Sequence, residues 1–470
     1  VVPGETVGAQ VEVSRGAPDA VVLERVELLT PDGWDRPAPL VLADSLPAHA
    51  PWRSTITFTV PPTAEPSRPP FVRDVIAQNH YRWRDGTPEH SPRGPDPVSV
   101  RVIVRVSGEP FTIERAVRYR HSREPEGVSY PRLVVVAPVS LRATPAVRVV
   151  TASGEVRERV TVEVTGHSVT PVDASVALTS SIGARVTPAS TVRVGLGERR
   201  SVTFDVTLPA ERDSLALTAV ARMGEREWRD AITLIEPREL EPASLYASPV
   251  VQLRRVPVTL AAGLRVGYIM GVGDLVPDAI AQLGAQVSLL DAAEVAAGDF
   301  GRFDTVVIGT RAYAVRPELP AATPALAAYA KQGGNVVVLY QTQEFRPETM
   351  APFPAALPND AEETTEEDAP VRLLAPEHPL LSSPNRLTPR DFDGWIEQRG
   401  SKFLTQLAPE YTALVETHDI GQDPQRGVWV TARVGTGQWS YVALALHRQL
   451  PYGVPGAYRI LANLLTRSAR

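Results

Sequence analysis

Leu264-Arg-Val-Gly-Tyr-Ile-Met270, followed by Gly271-Val-Gly-Asp274, decides the fold of the second half of this chain. The apolar run reads as a buried strand, and the glycine-rich turn hands the chain to a helix that reaches about Leu283. Val287–Leu290 reads as a second strand, Thr305–Ile308 as a third and Asn335–Tyr340 as a fourth, with Pro324–Gln332 as the helix between the last two. A strand that is apolar on both faces needs cover on both. Strands alternating with helices supply that cover, so the pattern predicts a parallel sheet with helices on each side. Core-like sequence resumes at Gly427–Val434 and Gly437–Leu446, and Pro455–Leu465 reads as a closing helix.

The first half has a different period. Apolar and polar residues alternate, β-branched residues are frequent, and Gly or Pro turns recur every few residues, which predicts antiparallel β-sandwiches. An internal repeat divides this half. Gly4–Gly16 matches Gly154–Gly166, Arg53–Pro61 matches Arg200–Pro209, and Val106–Glu109 matches Met223–Glu225. The offset falls from 147 residues at the second match to 116 at the third, so the first copy carries an insertion of 31 residues. It is placed at about 66–97, a Pro- and Arg-rich stretch holding Phe71, His80, Tyr81 and Trp83. Tyr81 and Trp83 are candidates for surface recognition of a glycan or partner; the plainer reading is that the rings fasten a long loop to its own domain. The expected organisation is a sandwich over 1–130, a second over 131–240, a proline-rich linker over 241–262 and the α/β domain over 263–470.

Composition sets outer bounds. The 470 residues suffice for several cored domains, and 43% hydrophobic with 22% charged residues is ordinary for a soluble globular protein. No apolar run approaches the roughly 20 residues a membrane helix needs. A formal charge of -6 gives nucleic acid no electrostatic purchase. Only Lys331 and Lys402 among the 48 basic residues are lysines, a bias that reads as GC-rich coding. There is no cysteine, so disulfides and thiolate metal sites are excluded. That fits a periplasmic or extracellular protein built without disulfides, with a cytosolic one left open. Strand-like sequence begins almost at Val1, which reads as an excised piece of a longer protein.

Ligands of open α/β sheets gather beyond the carboxyl ends of the strands. Here those positions hold Gly271, Gly273 and Asp274; Thr310, Arg311 and Tyr313; Gln341, Gln343 and Glu344; and His447 with Arg448. Such a group could hold a small anionic or hydroxylated ligand. It is a poor dinucleotide site, because Val276 stands where the fingerprint requires its third glycine. The eight histidines include no pair at helical i, i+3 or i, i+4 spacing, and six carboxylates between Asp360 and Asp368 lack the alternation of a calcium loop, so no metal site is expected. Asp391, Trp395 and Arg399 are spaced by four, which on a helix would place an ion pair beside a buried indole.

The α/β segment resembles the class I glutamine amidotransferase-like, flavodoxin-like fold. That family places a nucleophilic cysteine on the turn after a central strand and a histidine base late in the chain. Tyr340-Gln-Thr-Gln343 occupies the corresponding turn here, and Ala443-Leu-Ala-Leu-His447 supplies a late histidine. Val371–Asn385, Asp391–Gly400 and Arg448–Leu464 look like the C-terminal part of large bacterial PIG-L/LmbE-type deacetylases. In those proteins a zinc-dependent N-acetyl-sugar deacetylase domain precedes β-sandwich modules and an amidotransferase-like domain. The resemblance covers essentially the whole chain and implies an accessory region whose partner, and whose zinc, lie upstream. The zinc-and-base motif of the family, a His-Pro-Asp-Asp type segment, has no counterpart in residues 1–470, so no catalytic residue and no cofactor carries over. The alternatives are a glycan- or partner-binding module acting through the sandwich loops, with cell-envelope polysaccharide as the expected glycan, and a hydrolase using a pocket around His447.

Overall fold

Alternating side chains on a strand point to opposite faces, and the first half of the chain spends one face of each strand on a core. The computed structural model describes residues 1–16, 20–48, 50–72, 81–85, 94–125, 127–180, 182–237 and 240–466. It is predominantly β, built of several sheets, and falls into two compact units.

The first unit comprises Val1–Ala146, Arg157–Thr207 and Ala216–Val251. In its first part Thr6–Val13 pairs antiparallel with Trp52–Thr59. A four-stranded sheet runs in the order Leu40–Ser45, Val21–Leu29, Ser99–Val106, Glu109–Ala116. Ala9, Val11, Ile56 and Phe58 from the pair and Leu23, Val26, Val102 and Val104 from the sheet enclose one core. Leu133 and Val135 belong to that core too, so the first sandwich extends past the expected boundary at 130. The repeat is visible in the structure. Val156–Gly166 and Arg199–Leu208, the counterparts of the first pair, are again neighbours in one sheet. The third match is a hairpin turn in both copies, entered by Gly108 at φ 93° and Gly224 at φ 59°, where a side chain would be strained. Arg68 joins the two copies within this unit, holding Asp230 through both guanidinium nitrogens at 2.8 and 2.9 Å and lying over the Tyr246 ring.

The segment expected to be a linker is not one. Ala243–Ala247 pairs with Ala231–Ile235, and Val250–Arg255 is also a strand. Pro242 and Pro249 stand between these strands and Pro257 just past the last of them, where the missing N–H costs no ladder bond. The prolines mark strand ends and not an unstructured connection.

The second unit comprises Val147–Val156, Leu208–Leu215 and Gln252–Arg470. Its main sheet has eight strands: β1 (Arg265–Ile269), β2 (Gln286–Leu289), β3 (Thr305–Ile308), β4 (Asn335–Leu339), β5 (Val371–Leu373), β6 (Thr412–Thr417), β7 (Gln425–Val434) and β8 (Gly437–Val442). The order is β2-β1-β3-β4-β8-β7-β6-β5. The first five in that order are parallel, with β4 and β8 joined from Asn335↔Gln438 to Leu339↔Val442. The rest is antiparallel. The all-parallel expectation therefore needs correction. Beyond β4 no crossover helix separates β6, β7 and β8, and Gly435 at φ 60° turns β7 directly into β8. Every residue of β3 and β4 is buried, as strands covered on both faces require. The helix before β4 runs over Leu319–Lys331, five residues earlier than expected, because Pro320 rather than Pro324 sits in its first turn.

Residues 391–399 form no helix. Pro389–Phe392 is a 3-10 turn capped by the Asp391 carboxylate, which accepts the Thr388 N–H at 2.7 Å. Arg459 on the closing helix Pro455–Leu465 pairs with Asp391 at 2.6 Å, and Trp395 Nε1 donates to the Asp391 carbonyl at 3.0 Å. An ion pair does sit beside a buried indole, but the cation comes from Arg459, 68 residues away. Arg399, itself buried, donates to the carbonyls of Ala369 and Phe392. Burial pushes its pKa down from the usual guanidinium value, against the nearby charges of Asp368, Asp393 and Glu367.

Candidate functional site

The turns leaving β1, β3, β4 and β8 bring the expected residues to one edge of the sheet. After β1, the Asp274 carboxylate accepts from the Tyr268 hydroxyl at 2.8 and 2.9 Å, from Val276 N–H at 3.1 Å and from Thr310 N–H at 3.2 Å. Tyr268 is fully buried. Its pKa is raised well above the usual phenol value by burial and by the charge of Asp274. Asp274 thus occupies the start of the Val276–Gln282 helix, where a bound phosphate would otherwise accept N–H groups, and its charge repels one. Gly271 is required by contact, because a Cβ there would lie 1.9 Å from the Thr310 carbonyl oxygen. Gly273 is required by conformation, at φ 97°.

After β3, Arg311 adopts the left-handed region at φ 53° and its N–H donates to the Tyr340 carbonyl at 2.8 Å. That backbone costs about 1 kcal/mol or more in a non-glycine residue, and the bond between the two strand-end turns offsets part of it. Tyr313 faces inward. Its ring packs on Phe345 at 5.0 Å, and Phe345 stacks on Tyr441 at 5.7 Å. Burial raises the pKa of the Tyr313 phenol.

After β4, Gln341 is fully buried. Its amide donates to the carbonyls of Gly309 and Leu339 at 2.8 Å each, and its oxygen accepts Tyr313 N–H at 3.1 Å. The bonds to Gly309 and Tyr313 tie the β3 and β4 turns together, so Gln341 is a structural rivet. Glu344 accepts the Thr342 hydroxyl at 2.5 Å; that bond, then its own backbone N–H and the charge of Arg311, hold its carboxyl below the usual range.

His447, after β8, stacks on the Tyr340 ring at 5.8 Å and 22°. Among the described residues neither ring nitrogen has a hydrogen-bond partner. Two hydroxyls that could stand in for a nucleophile are both engaged: Ser440 donates to Thr431 at 3.0 Å, and Thr342 donates to Glu344. Burial lowers the His447 pKa, and the charge of Asp274 acts in the opposite direction. His378 and His167 are lowered as well, chiefly by burial. An imidazole whose folded pKa is depressed leaves the unfolded chain binding more protons between the folded value and about 6.5, so stability must fall as pH falls through that window. Denaturant unfolding from about pH 7.5 down to about pH 5 should show a progressive loss, smaller in a His447→Gln variant. A stability flat across that range would contradict the burial of these rings.

Sequence reasoning placed Asp274, Arg311, Tyr313, Gln341, Glu344 and His447 at one edge, but missed Tyr268 and Tyr340. The first carried a signal, being the one hydroxyl-bearing residue in the aliphatic strand β1. The surface candidates lie elsewhere. Phe71–Val72 pairs with Arg82–Trp83, and the Tyr81 ring meets Phe71 edge-on at 5.3 Å. Tyr81 is 62% exposed and Trp83 37%. Most of the remaining 66–97 insertion, His80 included, lies outside the described residues.

No family model matches this chain, and no curated protein does. Among solved structures, a Salmonella α-2-macroglobulin reacted with methylamine matches at 12% identity over 56% of this chain and 17% of its own, with a TM-score of 0.19. A Caenorhabditis elegans MSP family member matches at 15% identity over 24% of this chain and 96% of its own, with a TM-score of 0.15. A glycosyl hydrolase family 2 member from Bacteroides cellulosilyticus matches at 10% identity over 72% of this chain and 37% of its own, with a TM-score of 0.15. Values this low decide neither family nor function.

Proposed function

We propose that this chain is a non-catalytic accessory region of a PIG-L/LmbE-type N-acetyl-sugar deacetylase whose catalytic domain is encoded upstream of Val1. The observation that carries the reading is how the strand-end polar groups are spent. Asp274 and Gln341 are consumed by backbone and tyrosine contacts, Glu344 by its own turn, and His447 faces an aromatic ring. A base without a nucleophile in reach does not make a hydrolase. The order β2-β1-β3-β4 in the parallel half is that of flavodoxin-like sheets. It supports an amidotransferase-like origin with the nucleophile turn rebuilt as Tyr340-Gln-Thr-Gln343.

The zinc of such an enzyme does not fit the residues present. Among the described residues no three His, Asp or Glu side chains stand together as metal ligands; the proposal assigns the zinc to the upstream domain. Among the same residues no helix is long and apolar enough to cross a membrane. The proposed setting is the bacterial periplasm or exterior, with cell-envelope glycan as the parent substrate class. A glycan- or partner-binding role for the sandwiches is the second reading, favoured by the exposure of Tyr81 and Trp83 on a two-stranded ribbon.

Purified residues 1–470 should show no turnover of N-acetylglucosaminides with zinc supplied, while the polypeptide that includes the upstream open reading frame should turn them over. Chelator-sensitive deacetylation by the isolated chain, with stoichiometric zinc retained after dialysis, would overturn the proposal.

A further inference from the structure

The opposite edge of the same sheet carries a feature that the strand-end site does not use. Asn335 at the start of β4 lies level with Gln438 on β8, Gln438 lies level with Arg433 on β7, and Thr431 lies level with Thr412 on β6. Glu410, in the turn just before β6, lines the same cleft as Arg433. Directly opposed residues point to the same face of a sheet. Asn335, Gln438 and Arg433 therefore form one polar row across three strands. Ser440, Thr431 and Thr412 form a second row on the same face, joined by the Ser440–Thr431 hydroxyl bond at 3.0 Å.

Polar rows on one face of an otherwise apolar sheet cost free energy unless something pairs with them. Here they floor a cleft of about 690 Å³, whose wall includes His378 and Pro379. Two observations set this cleft apart from a solvated surface. Asn335 is 1% exposed, and its carboxamide oxygen has no hydrogen-bond partner although its nitrogen has two. Glu410 and Arg433 both line the cleft, yet among the described residues neither forms an ion pair. Elsewhere in this arginine-rich chain such neighbours do pair, as Arg372 and Arg426 do around Glu416. His378 accepts Leu380 N–H on Nδ1 at 3.2 Å, which leaves Nε2 as a donor.

We infer that this cleft binds a small zwitterion of the α-amino-acid class, its carboxylate on Arg433 and its ammonium on Glu410, with the threonine hydroxyls completing the contacts. Two opposite charges that line one cleft without pairing match a ligand bearing both. A neutral sugar would leave them uncompensated, and a simple anion or amine would satisfy one of them. The inference is independent of the deacetylase reading and concerns another edge of the sheet.

Calorimetric titration of the full chain with glycine, alanine, glutamate, lysine and phenylalanine tests it, with acetate, methylamine and glucose as comparators. Saturable binding of at least one amino acid is expected, with none of the comparators binding as tightly. Arg433→Ala and Glu410→Gln should each weaken it by about tenfold or more, at an unchanged melting temperature because both side chains are exposed. Absence of saturable binding by every amino acid, tighter binding of glucose, or binding that survives both substitutions would overturn it.

Discussion

Trp395→Ala is expected to destabilise the second unit by about 3–5 kcal/mol, the range for large aromatics deleted from cores. The indole is 2% exposed, packs on Phe392 at 5.2 Å and donates to the Asp391 carbonyl. Its removal would leave a cavity beneath the turn that also positions Asp391 for Arg459. Trp395→Phe keeps most of the volume and loses the N–H bond, so it should cost less, about 1–2 kcal/mol. Denaturant melts of the two variants beside the parent decide the matter. A Trp395→Ala chain that melts like the parent would mean the indole is not buried and is free for another role.

Gly456→Ala should be at least as damaging for a different reason. A Cβ on Gly456 would lie 1.7 Å from the Asp391 carbonyl oxygen and 2.4 Å from its carbon, both backbone atoms with no room to give. The same carbonyl is the acceptor for Trp395, so the turn cannot shift without straining that bond, and the closing helix cannot back away without breaking the Asp391–Arg459 pair. Overpacking typically costs 1–3 kcal/mol, and a rigid backbone neighbour puts this site at about 3 kcal/mol or above. The readout is the denaturation midpoint. Alanine is the better helix former, so a stability equal to or above the parent would show that helix and turn are further apart than described.

These two sites show where the sequence was legible. The β1 to β4 strands could be read because each is a short apolar run between turn residues, a signal local to a few positions. The closing helix was bounded correctly because Pro455 opens it and its apolar spacing is helical. The partner of Asp391 could not be read. Spacing by four pointed at Arg399, but the proline at 389 and the glycine at 394 hold the segment off a helix, and Arg459 arrives only through tertiary packing. The antiparallel half of the sheet was equally hidden, since β7 and β8 read as core sequence whichever way they run and β6 had no strand reading. At the candidate site the residue list was legible and the roles were not. Nothing in the sequence says that Gln341 points inward to rivet two turns, or that His447 meets Tyr340 and no nucleophile.

The central claim is that the strand-end edge, His447 included, does no chemistry. The most direct measurement is deacetylase turnover of the complete polypeptide, upstream domain included, with and without His447→Ala, alongside a melt of each. The account predicts that turnover stays close to the parent value while the chain remains folded. A loss of about a hundredfold or more in kcat, with folding intact, would contradict it.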